Sequence, residues 1–126
     1  MKVQASISLG ELVDKISILK IKEKNIKDEA KLIDVKTELS LLLKELDELH
    51  LDGIDEHLDA LIKVNEKLWN IEDEIRLKER SSEFDEGFIQ LSRSVYLTND
   101  HRFELKNKIN NKYGSSVKEV KSYQDY

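Results

Sequence analysis

Between Ile54 and Arg80 the sequence sets charge where a helix is expected to set apolar side chains. On a wheel of about 100° per residue, Ile54, Leu58, Leu61, Val64, Leu68, Trp69, Ile71 and Ile75 share one arc. Asn65, Glu72, Arg76 and Glu79 project near the middle of it, while Lys63, Glu66, Lys67, Asn70 and Glu74 take the opposite side. Asn99, Arg102 and Lys106 fall on the inward side of the last helical stretch, and Lys20 falls inside the main apolar arc of the first. Removing one partner of a buried ion pair costs about 3–5 kcal/mol, so inward groups of both signs should meet. The expectation is that Glu72, Arg76 and Glu79 meet Arg102 or Lys106 across a helix interface, with Lys20 as a further partner. Lys20, Asn65, Trp69, Glu72, Arg76, Glu79, Asn99, Arg102 and Lys106 are thus the candidate binding cluster.

Such a cluster either fixes helix register and binds nothing, or lines a cleft. In a cleft, converging Arg and Lys side chains beside a glutamate hold a small carboxylate or phosphate; Trp69 is either simply buried or, at the cleft edge, stacks on the ligand. Glu72 and Glu79, joined by acids from a neighbouring helix, would offer oxygens to Mg²⁺. The paired acidic pattern of helical pyrophosphohydrolases, Glu-Glu-x-x-Glu with Glu-x-x-Asp, is not present. His50, His57 and His101 lack zinc-ligand spacing, the serines cluster at helix ends where capping explains them, and Gly10, Gly53, Gly87 and Gly114 are isolated rather than grouped in a phosphate loop. No catalytic residue, metal ligand or cofactor site is assigned.

The elements that must position these residues are helical throughout. Val3, Ala5 and Ile7 alternate with polar residues as an extended lead-in over 1–7. Ser8 with Glu11 fits a capping box and starts a helix running to about Asn25. It carries Leu9, Leu12, Val13, Ile16 and Leu19 on one arc and Ile18 and Ile21 on the other, and so either lies centrally or gives its second face to another subunit. Lys20 and Glu23, three apart, are expected to pair near its end. Asp28 caps a second helix from Glu29 to about His50, whose Leu32, Val35, Leu39, Leu42, Leu46 and Leu49 form a coiled-coil-like seam. A short break at Asp52-Gly53 makes it the antiparallel neighbour of Ile54–Arg80, with Asp55 as cap. After a cap at Ser82, Phe84, Phe88, Leu91, Val95, Leu105, Ile109 and Tyr113 hold one phase to Gly114, as one kinked helix or two collinear ones divided at Asp100. The tail, 115–126, lacks the apolar residues of a core element.

At 126 residues, with no cysteine and no proline, the chain fits one domain able to bury a core without staples. The missing thiols exclude disulfides and suit a reducing cytoplasm, and no segment approaches the ~20 apolar residues of a membrane span. The net charge of −5 is uneven: fifteen acidic against five basic side chains between Glu45 and Glu86, then six basic against two acidic between His101 and Lys121. The basic segment is too short for a nucleic-acid stripe.

Three blocks, SLGELVDKISILKIK, VNEKLWNIEDEIRLKER and SVYLTNDHRFELKNKIN, resemble an uncharacterised, mainly bacterial family known only as domain of unknown function 6165. The resemblance spans most of the chain and implies no activity, ligand or cofactor. It does imply that Glu11, Asp14, Lys15, Asn65, Trp69, Glu72, Asp73, Arg76, Glu79, Tyr96, Asn99, Asp100, Arg102 and Lys106 stand at the family's motif positions.

The expected protein is a single all-α domain, an antiparallel bundle of four to five helices with short loops, whose spine is the hairpin from Glu29 to Arg80. Its expected role is a soluble, cytoplasmic binding or interaction module with a buried charged network, with a homo-oligomer or protein partner open and neither membrane nor nucleic acid engaged. The alternative is a small helical enzyme or ligand-binding protein for an anionic metabolite.

Overall fold

A computed structural model describes residues 1–122. Among them are four helices and no strand: α1 Leu9–Asn25, α2 Glu29–Asp47, α3 Ile54–Arg80 and α4 Glu86–Tyr113. None is long and apolar enough to cross a membrane. The starts of α1, α2 and α4 are chemical. Ser8, Asp28 and Asp85 each accept a hydrogen bond from a first-turn N–H, at 3.1, 3.0 and 3.0 Å, satisfying donors that have no intrahelical partner. Two expected caps move. Ser82 sits in a left-handed turn, φ 53°, leaving Asp85 as the cap, and α3 starts from left-handed Gly53 rather than from Asp55. Thr98-Asn99-Asp100 does not divide α4, because its apolar phase continues and Thr98 is buried.

The centre of the molecule is α1, not the α2–α3 hairpin. It packs on α2, α3 and α4, whereas α2 and α3 do not approach to helix-packing distance. The two apolar faces of α1 explain this: Leu12, Val13, Ile16 and Leu19 of the main arc join the seam residues Val35, Leu39 and Leu46 in one core with Leu58, Leu61, Val64 and Ile109, and the second face, with Ile18 and Ile21, turns to α3 and α4. The α2 seam is therefore used on α1, and the loop before α3, with left-handed His50 and Gly53, lets α3 turn away from α2.

The docking of α1 on α4 is unusually close at Gly10. A Cβ there would lie 2.4 Å from the Lys106 carbonyl oxygen, so a side chain at this position would force the helices apart. The first N–H groups of α1 are satisfied by this contact: Leu9 N–H donates to Ser115 Oγ at 3.1 Å and Gly10 N–H to buried Asn110 Oδ1 at 2.7 Å. Gly10 lies against Lys106 and Asn110 while Asp14 reaches Arg102, so α1 and α4 run in opposite directions.

Candidate functional site

Along α4, Arg102, Lys106 and Asn110 recur every four residues and so share the face that meets α1. Three groups of α1 answer them in order: buried Gly10 to Asn110, half-buried Glu11 to Lys106 and buried Asp14 to Arg102. Asp14 is fully buried. Arg102 clamps its carboxylate through two nitrogens, Nε at 2.9 Å from Oδ1 and Nη2 on Oδ2. Asn65 of α3 donates to the same Oδ1 at 2.9 Å and to Ser17 Oγ at 2.8 Å, and Ser17 in turn donates to the Asp14 carbonyl at 2.6 Å. A carboxylate removed from water needs this density of donors, because the desolvation penalty otherwise exceeds the Coulombic gain. Among the described residues no buried side-chain nitrogen or oxygen lacks a partner.

The charges respond to their neighbours. The hydrogen bond to Asp14 holds the Arg102 guanidinium above its usual pKa, outweighing partial burial. Burial is the largest influence on Lys106 and works against its charge, but hydrogen bonds to Glu11 at 2.7 Å and to tail Glu119 at 2.6 Å together raise its pKa. Glu11, expected to close a capping box on Ser8, spends its carboxylate on Lys106 instead.

Above this floor a groove of about 370 Å³ runs between α1, α3 and α4. Ile18, Ile21, Leu68 and Trp69 form its apolar wall, and Asn65, Glu72, Asp73, Arg76, Asn99 and Arg102 its polar one. Arg102 spends Nε and Nη2 on Asp14, and among the described residues its Nη1 has no protein acceptor. A larger hollow of about 570 Å³ lies along α2, but among the described residues none of the buried polar side chains lines it.

The expected cluster is gathered only in part. Asn65, Trp69, Glu72, Arg76, Asn99 and Arg102 share the groove, and Lys106 lies one turn beyond Arg102. The predicted ion pairs from α3 to α4 do not form among the described residues. Glu72 and Arg76 pair with each other at 3.6 Å on the rim, their side chains 43% and 71% exposed, and Glu79 is exposed. The cause is length. Lys24 reaches Glu66 at 3.8 Å, so α1 ends beside the Glu66–Asn70 turn and the last ten residues of α3 run past it. From Glu72 to Leu97 no residue is buried. Lys20 is half-buried, and neither the pairing with Glu23 nor one with the cluster forms among the described residues. The suggested Mg²⁺ site is not assembled either: among the described residues no three acidic, His or Cys side chains gather in a metal-holding arrangement.

The acid that meets Arg102 is Asp14, one of the positions implied by the family resemblance but not by the polar pattern of α3. Ser17, Asn110 and Glu119 were missed. Asp14 and Ser17 had a legible signal: both lie on the second apolar face of α1 with Ile18 and Ile21, and a helix buried on two faces must bury the polar residues between them.

The fold and site together define an all-helical domain built around a buried ionic seam with a small groove beside it. The chain belongs to the family of unknown function (DUF6165), which it matches over residues 1–126. No curated protein and no solved structure matches it.

Proposed function

We propose that this protein is a binding module whose groove takes a small molecule with an apolar body and a single carboxylate. The supporting observation is the arrangement around Arg102: its Nε and Nη2 are fixed on buried Asp14, and the same side chain lines a groove whose apolar wall is Trp69, Leu68, Ile18 and Ile21. A guanidinium locked by a buried partner loses little conformational entropy on binding, which favours affinity. The groove has the size of a small-molecule site. A single negative charge fits better than a phosphate dianion, because Arg102 and Arg76 are already matched by Asp14 and Glu72, and Asp73 adds another acid. The cytoplasm is the compartment we propose, on the absence of cysteine.

The test uses Trp69, the only tryptophan, as a reporter inside the groove. Titration with a panel of aliphatic and aromatic monocarboxylates should quench or shift its emission, and Arg102→Lys, which keeps the charge but loses the fork, should weaken that response. A silent Trp69 across the panel would remove this function.

A second reading, an interface with another copy or a protein partner, is favoured by Leu77, Phe84, Ile89 and Leu97, all about half exposed along the end of α3, the α3–α4 loop and the first half of α4. Ile21, also a candidate for such a surface, is instead buried. Light scattering after size exclusion distinguishes the homo-oligomer: a clean monomer at high concentration excludes it.

A further inference from the structure

We infer that the buried ammonium of Lys106 is a second carboxylate site, occupied at rest by the protein's own tail and opened when that tail lifts. The site does not depend on the groove reading; its cavity shares Asn99 and Arg102 with the groove but is otherwise lined by different residues. Lys106 Nζ holds two carboxylates, Glu11 from α1 at 2.7 Å and Glu119 from the tail at 2.6 Å. The first is anchored in a packed helix. The second comes from a segment with neither helix nor strand, in which Val117 is 41% and Val120 86% exposed. Past the Ser115 turn that segment is held by polar contacts: Lys118 to Asn111 at 3.3 Å, Glu119 to Lys106, and Lys121 to Asp100 at 3.1 Å. Fixing each backbone residue costs about 1–2 kcal/mol, and among the strap's described residues no apolar side chain is buried to offset that cost, so the strap exchanges between docked and lifted. A cavity of about 420 Å³ already lies beneath it, lined by Arg102, Phe103 and Lys106 of α4 and by Glu119 and Lys121 of the strap. Glu119 therefore acts as a tethered competitor, and what replaces it must have its chemistry: a small carboxylate, its head on Lys106 and its body against Phe103.

Tethering gives Glu119 an effective concentration of roughly millimolar order, so removing its carboxylate should expose the site to free ligand. A strap docked about nine-tenths of the time weakens apparent affinity about tenfold, so in the full chain Glu119→Ala should bind acetate at a concentration about tenfold lower than wild type, read by the ¹³Cε resonance of Lys106 against matched sodium chloride. Adding Lys106→Met to Glu119→Ala should abolish the acetate-dependent rise in Tm. Equal acetate response in wild type and Glu119→Ala overturns the inference, as does a Tm response that survives the Lys106 replacement. Should the double variant fail to fold, the Lys106 resonance of Glu119→Ala decides alone: no acetate-specific shift is also a refutation. Because Trp69 lies outside this cavity, its emission keeps the groove experiment separate.

Discussion

Two arginines border the same groove, and their surroundings give them different work. Arg102 reaches across 88 positions of sequence to a carboxylate that water does not touch, with Asn65 and Ser17 completing the set. Arg76 meets its own helical neighbour Glu72 at 3.6 Å, and both stay wet. The ion-pair chemistry is alike, but the dielectric is not: the same Coulombic attraction is several-fold stronger where water is excluded, and so is the penalty for leaving one partner alone. The buried pair ties three helices together; the exposed pair shapes a rim.

Breaking the buried pair should give the largest effect. Asp14→Ala leaves Arg102 without its carboxylate and Asn65 with one acceptor fewer, and is expected to cost about 3–5 kcal/mol in urea unfolding. A loss below about 1 kcal/mol would mean that the seam is solvated and the contrast false. Arg76→Ala should change stability by about 0–1 kcal/mol, with the remainder vanishing at high salt. If it matched Asp14→Ala, the rim pair would have to be part of the core.

The smallest expected effect lies at the other end of the molecule, where His57 stacks edge-on against Tyr113 at 5.8 Å and approaches Lys112 Nζ at 3.3 Å. Partial burial first, then Lys112 and Lys108, lower its pKa from 6.5. A histidine with a depressed folded pKa stabilises while neutral: its contribution is fully present above the unfolded pKa and is lost as pH falls through the folded one. Wild type should therefore lose slightly more stability than His57→Gln between about pH 7.5 and 5.5, measured by paired denaturation curves. Parallel pH profiles would show that His57 carries no such strain and that the α3–α4 end contributes to stability without titrating.

Much of the helical skeleton was readable without coordinates. The bounds Ile54–Arg80, the end of α1 at Asn25 and the caps Ser8 and Asp28 follow from local rules, because capping and 3.6-residue periodicity act within one or two turns. Arg102 and Lys106 were also correctly turned inward. Their partners were not readable from the α3 wheel, since Glu72 and Glu79 have the right phase but lie past the end of α1. A wheel gives an angle around an axis and says nothing of where along that axis a neighbour stops.

The sequence alone determined which residues share a face, that α1 has two such faces, and that cations of α4 turn inward; these are properties of one helix at a time. Tertiary structure decided that α1 rather than α3 sits in the middle, that Asp14 and Glu119 answer those cations, and that Glu72 and Arg76 remain at the rim. Those outcomes depend on helix lengths, on competition between apolar faces for the same partner, and on a close approach at Gly10. Each couples residues too far apart in the chain for any local pattern to record.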